Sequence, residues 1–135
     1  MQGTNGSNIR DLRRYCPDSF DEDPLAALEM TLKMRVLYPT CPDTLRCYPF
    51  RNDPFIIYKS PQVYFAGNQP KFLTKTLSQG TRLICVPSFR TTRQIVLMNL
   101  QSLETFSYEF DCSFLAKTVA WQEEGVPAVH KTLRV

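Results

Sequence analysis

The chain is 135 residues long, and its 43% hydrophobic, 12% aromatic and 21% charged residues describe one packed domain and exclude a disordered chain. Sixteen Lys plus Arg against thirteen Asp plus Glu leave a net charge of +3, far from the basic footprint of a dedicated nucleic-acid module. No apolar run approaches the ~18 residues of a membrane span, and MQGTNGSNIRDLRR lacks the apolar centre of a signal peptide, so a soluble intracellular protein with no membrane partner is expected.

The segment GTNGSN reads as a polar loop entering a short helix from Asn8 to Tyr15. Ile9 and Leu12 lie three apart on one face of that helix, and Asn or Ser caps its start. A second helix begins at Pro24, behind an N-cap at Asp23. Leu25, Leu28 and Leu32 form its apolar stripe, and Lys33 and Arg35 lie at its negative end. It reads as a core-packing amphipathic helix. The acidic run Asp18, Asp21, Glu22 and Asp23 ahead of it reads as a solvated, dipole-favoured turn rather than a metal cluster.

From Pro39 to Pro61, five prolines alternate with aromatic residues, which predicts a long ordered loop with a short strand at Phe55 to Tyr58. Its aromatic side chains either pack beneath it or form an interaction surface. β-type runs follow at Val63 to Ala66, Phe72 to Thr76, Arg82 to Val86, Gln94 to Leu100 and Leu103 to Phe110. Their close spacing predicts an antiparallel meander.

Ile95, Val96, Leu97 and Met98 are apolar on both faces, which predicts a central strand. Phe106, Tyr108 and Phe110 alternate with Thr105, Ser107 and Glu109, which predicts a half-exposed one. The NLQS link between the two suits a hairpin. From Asp111 to Val135 the pattern is weak and reads as helix or disorder, and no internal repeat is visible. The ten prolines exceed the roughly 5% of average usage and disfavour an all-helical bundle.

Little catalytic chemistry is available. Cys16, Cys41, Cys47, Cys85 and Cys112 form no C-x-x-C pair, and five thiols cannot all be matched within the chain, so reduced cysteines are expected. His130 is the single histidine and reads as a solvated tail residue. Neither a phosphate-cradling glycine loop nor a G-x-S-x-G elbow occurs. One local feature remains: in VYFAGNQP, a strand ends in Gly67, Asn68, Gln69 and Pro70. Active sites often have that layout, and so do ordinary turns.

The run PTCPDTLRCYPFRNDPFIIYKSPQVYFAGNQPKF, with GTNGSNIRDLRRY before it and RLICVPSF and IVLMNLQSLE after it, resembles the C-terminal part of the small (B) subunits of DNA polymerase delta. The likeness spans about residues 3 to 110 and rests on PDTL, CYPF, DPF, VYF-x-GN and the VP-x-F and NL-x-x-L runs. It implies an α+β fold of layered α/β type, namely part of a calcineurin-like phosphoesterase domain. Residues 1–110 would be a sheet of short mixed or antiparallel strands with flanking helices, and 111–135 a divergent tail.

Active relatives of that fold bind two metal ions through Asp, Asn and His ligands ending in G-H-x-H. Here the corresponding place reads Gly67-Asn68-Gln69-Pro70, and GTNGSN also lacks a histidine. The resemblance therefore implies no catalytic residue, no metal and no cofactor, with an inactive phosphoesterase kept for assembly. It implies a nuclear, non-catalytic accessory subunit in DNA replication, partnered by the polymerase's catalytic subunit and other accessory subunits and meeting DNA only through the complex. Tyr48, Phe50, Phe55 and Tyr58 are the candidate contacts, since interfaces favour aromatic anchors.

Two other functions compete: a residual metallophosphoesterase, and single-stranded DNA binding through Lys71, Arg82, Arg90 and Arg93. The family's OB-fold and first phosphoesterase half have no counterpart in the chain, which reads as a fragment. An unpaired sheet edge and exposed apolar surface then predict poor solubility.

Overall fold

A computed structural model describes residues 1–15, 23–111 and 133–134. The elements run β1 (Gln2–Thr4), α1 (Ser7–Tyr15), α2 (Pro24–Met34), β2 (Val63–Gln69), β3 (Leu73–Thr76), β4 (Arg82–Pro87), α3 (Phe89–Thr92), β5 (Gln94–Met98), β6 (Thr105–Phe110) and β7 (Leu133–Arg134). This mixture of helices and open sheets is the expected α+β class.

Helix α2 forms where its signals lie. Asp23 Oδ1 accepts from Leu25 N at 2.9 Å, Pro24 takes the first turn, and the left-handed Arg35 closes the last by donating its N–H to the Leu32 and Thr31 carbonyls. In α1, Asn5 Oδ1 accepts from Ser7 N at 3.0 Å and from Ser7 Oγ at 2.7 Å, which starts the helix one residue before the expected Asn8.

Four strands form a sheet in the order β1-β2-β4-β3, with β1–β2 and β2–β4 parallel and β3–β4 antiparallel. The expected antiparallel meander is therefore wrong. Buried on both faces, β2 and β4 carry the continuous apolar runs of parallel strands, and the polar LTKT of β3 takes the edge. The start of the chain also differs from the expected loop, because Gln2, Gly3 and Thr4 pair with Tyr64, Phe65 and Ala66. In place of a strand at Phe55 to Tyr58 there is a single bridge, Val36 to Ile56.

One face of this sheet packs on α1 and α2. Tyr64, Ala66, Leu83 and Cys85 meet Ile9, Leu12, Ala27, Leu28 and Leu32 in one buried cluster. Burying a side chain such as Leu28 or Leu83 contributes roughly 1.5–3 kcal/mol. The polar groups in this layer are satisfied: Thr31 Oγ1 donates to Leu28 O at 2.8 Å and lies 2.9 Å from Tyr64 Oη. Burial pushes the Tyr64 phenol pKa above its ordinary value. At the edge, Glu29 on α2 holds Lys33 at 2.8 Å and Lys75 of β3 at 2.7 Å.

The opposite face meets a second sheet, ordered β5-β6-β7 and antiparallel where its strands pair. Arg82 Nη2 donates to Thr105 Oγ1 at 3.1 Å, and Thr105 Oγ1 donates to Thr74 Oγ1 at 3.3 Å. The NLQS hairpin is present: Asn99 Oδ1 accepts from Gln101 N and Ser102 N and turns the chain from β5 into β6. β6 is more open than the expected half-exposed strand, since Phe106 and Phe110 of its apolar face are themselves exposed. The expected central strand, however, is β5, and β5 stands at the end of its sheet among the described residues. Of the tail, Leu133–Arg134 pairs with Phe110 and Glu109, and residues 112–132 lie outside the described residues.

Two glycines set the spacing of β1 and β2. A Cβ on Gly3 would lie 2.2 Å from the Phe65 ring, and one on Gly6, whose φ is +85°, would lie 1.9 Å from Gly67 O. Gly6→Ala is expected to lower the unfolding free energy by about 3 kcal/mol or more, because left-handed strain of roughly 1–3 kcal/mol adds to a backbone clash. Urea denaturation read by circular dichroism measures it.

Candidate functional site

Parallel neighbours end on the same side of a sheet, so the residues after β1 and those closing β2 come together. Here Gly67, Asn68 and Gln69 belong to β2 itself, and Pro70 follows it. Asn68 has a φ of 52° where the register with β4 slips between Ala66 and Gln69, a bulge that turns its side chain toward β1. Asn68 Nδ2 donates to Asn5 O at 3.0 Å, Gln69 Nε2 donates to Gly67 O at 2.8 Å, and Gln69 O accepts from Ser88 N at 2.9 Å.

These contacts staple the β1–α1 turn to the end of β2. Gly67, Asn68, Gln69 and Pro70 supply amide groups and a prolyl ring, a donor set that does not fit a two-metal centre, which draws on carboxylate and imidazole ligands. No group of three or more His, Cys, Asp or Glu side chains comes together among the described residues. His130, Asp18, Asp21, Glu22, Cys16 and Cys112 lie outside the described residues.

Cys41, Cys47 and Cys85 are free thiols. Burial pushes the Cys85 pKa up to about 12, which keeps it a packing residue at neutral pH. Burial foremost, then a hydrogen bond with Cys47, raises that of Cys41.

The proline-rich loop is anchored on α1 by two buried polar side chains that the sequence alone did not single out. Asn8 accepts from Thr4 Oγ1 at 2.8 Å and donates through Nδ2 to Leu37 O at 2.6 Å. Asp11 Oδ2 accepts from Thr40 Oγ1 at 2.6 Å and from Thr44 Oγ1. These bonds, Thr40's first, hold the Asp11 pKa below its ordinary value against the opposing effect of burial. The available signal was the interleaving of polar Asn8 and Asp11 with apolar Ile9 and Leu12. That pattern places two polar groups beside a buried face without naming their partners.

The four aromatic candidates divide. Phe55 is half-buried, with its ring 4.8 Å from that of Tyr38, and its carbonyl accepts from Leu37 N at 2.8 Å. It packs against the core together with its neighbour Ile57. Tyr48, Phe50 and Tyr58 point outward at 76%, 64% and 77% exposure. The Tyr48 and Phe50 rings lie 5.6 Å apart, a tilted pair on a segment stiffened by Pro49 and Pro54.

The basic candidates divide as well. Arg82 is half-buried between the sheets, with Nη1 bonded to Thr76 Oγ1 at 2.6 Å and Nη2 to Thr105, so it is a joint rather than a surface cation. Lys71, Arg90 and Arg93 are exposed.

Residues 1–74 match the family of DNA polymerase alpha/epsilon B subunits. The chain belongs to that family. Among its relatives, the DNA polymerase delta small subunit of rice (Oryza sativa subsp. japonica) is 44% identical over 83% of this chain and 27% of the relative. The DNA polymerase delta small subunit of Arabidopsis thaliana is 45% identical over 80% of this chain and 25% of its own length. That of Saccharomyces cerevisiae is 34% identical over 79% of this chain and 27% of its own. The chain thus spans about a quarter of the length of the curated relatives it matches. The family match covers β1, α1, α2, the aromatic loop and β2, and so includes every candidate in the loop and at the end of β2.

The Asp11 clamp has a pH signature. A carboxyl whose folded pKa is depressed contributes stability that is complete above the unfolded value of about 3.9 and is lost as pH falls through the lower folded value. Thermal melts are therefore expected to show a loss of stability below about pH 4. Asp11→Ala is expected to remove that component and to cost about 1–3 kcal/mol at neutral pH, because Thr40 and Thr44 lose their acceptor.

Proposed function

We propose that the chain is a non-catalytic accessory component of a replicative DNA polymerase and acts by binding rather than by chemistry. The observation that carries this reading is its kinship, over about four-fifths of its residues, with DNA polymerase delta small subunits of plants and yeast. In this reading it binds the C-terminal region of the catalytic subunit and other accessory subunits, meets DNA through the complex and works in the nucleus. Tyr48, Phe50 and Tyr58 are the contact residues, because rigid exposed aromatics supply large contact area at little entropic cost. The Gly67 to Pro70 segment is a phosphoesterase centre reduced to a structural staple.

Co-expression with the polymerase's catalytic C-terminal region tests this. The chain is expected to co-purify, and Tyr48→Ala with Phe50→Ala is expected to weaken the complex roughly tenfold or more. The same pair of changes should leave stability within about 0.5 kcal/mol, since both rings are exposed. No co-purification, or binding indifferent to both changes, refutes it. Manganese-dependent hydrolysis of a phosphodiester, lost in Asn68→Ala, would favour the enzyme. Salt-sensitive retention of single-stranded DNA by the chain alone would favour direct DNA binding.

A further inference from the structure

Two thiols meet near the start of the proline-rich loop, and the polymerase reading uses neither. Cys41 N donates to Tyr38 O at 3.2 Å and Thr44 N to Thr40 O at 3.0 Å, so the chain folds back on itself around Cys41. Thr40 and Thr44, on either side of it, both donate to Asp11 and fix this turn against α1. Cys41 Sγ donates to Leu45 O at 3.0 Å, which points the thiol along the turn toward the residues that lead to Cys47. The Cys47 thiol lies within hydrogen-bonding reach of it. Both cysteines are free thiols.

The two sulfurs differ in access. Cys47 is exposed, whereas Cys41 is half-buried. Burial foremost, then Cys47 and then the Asp53 carboxylate raise the Cys41 pKa, so Cys41 keeps its proton at neutral pH. An oxidant arriving from solution therefore meets Cys47 first, with Cys41 held beside it. An accessible thiol that reacts first and a sheltered one that resolves the adduct is the arrangement reversible thiol oxidation requires. Cys85, sealed in the core, cannot take either part.

We propose that Cys41 and Cys47 are a reversible oxidation site, which closes to an intrachain disulfide when a small-molecule disulfide is the oxidant. The Cys47 thiolate attacks one sulfur of the oxidant, whose S–S bond breaks and whose other half leaves and takes up a proton. Cys41 then loses its proton to solvent and attacks Cys47 Sγ, which forms the Cys41–Cys47 bond and releases the second half as a thiol. The protein gives up two electrons and two protons, and the oxidant becomes two thiols. The bond lies at the surface and closes only residues 41–47, features of a labile disulfide rather than a structural one. Tyr48 and Phe50 follow it directly, so oxidation ties down the root of the segment that bears them. The site is independent of the polymerase reading.

Treatment of the full 135-residue chain with glutathione disulfide, then alkylation of the remaining thiols and tryptic digestion without reductant, tests it. Trypsin cuts after Arg35, Arg46 and Arg51, so the two cysteines fall on separate peptides, residues 36–46 and 47–51. Mass spectrometry is expected to find these peptides joined, at roughly tenfold or more the level of any other pairing of Cys41, because thiols held in contact react at a high effective concentration. Dithiothreitol should separate them. Cys41→Ser should trap Cys47 as its glutathione adduct, whereas Cys47→Ser should leave Cys41 roughly tenfold less modified. The unaltered chain supplies the decisive reading without any variant having to fold. Recovery of both cysteines as thiols, or as two separate glutathione adducts, overturns the proposal. So does a joined pair that forms as fast in denaturing urea as in the folded chain, or equal trapping in the two variants.

Discussion

The arrangement depends on two polar side chains on the buried side of α1. Asn8 joins the end of β1 to the start of the proline-rich loop, and Asp11 grips that loop again at Thr40 and Thr44. Both are buried, where an unpartnered amide or carboxylate would be costly, so their partners are fixed in place as firmly as the helix is. From Asn8 and Asp11 outward the consequences follow in order. The loop cannot lift from α1, Phe55 and Ile57 are drawn into the core, and Tyr48, Phe50 and Tyr58 are left facing solvent on a stiff support.

The second determinant is the close approach of β1 to β2, possible only because Gly3 and Gly6 lack side chains. It brings Asn5 within reach of Asn68, so the end of the two parallel strands, where a sheet of this kind gathers ligands, is occupied by a staple to the main chain. In the proposed reading the sheet is a support, and the loops it carries do the binding.

Local signals were legible in the sequence where a residue and its partner lie within a few positions. Asp23, Pro24 and the Leu25, Leu28 and Leu32 stripe placed α2, and NLQS placed the hairpin. The pairing of β2 with β4 was not read, although LICV and VYFA carried the evidence in their unbroken apolar character. Spacing suggested a meander, and burial on both faces decided for parallel strands. Asn68 could be singled out as a candidate, but its partner Asn5 lies 63 residues away, a separation no local pattern reports. The aromatic loop was legible as a unit and not residue by residue, because CYPF and DPFIIY both mix proline with aromatic residues while only the second returns to the end of α2.

The depth of Cys85 divides the described thiols by access. Cys47 is exposed and Cys41 partly so, whereas Cys85 lies in β4 with no exposed surface. An alkylating reagent can meet Cys47 on the folded surface, but it reaches Cys85 only when α1 and α2 have separated from the sheet. The chain therefore carries its own clock of core opening, read by the delay between modification of the first thiol and the last.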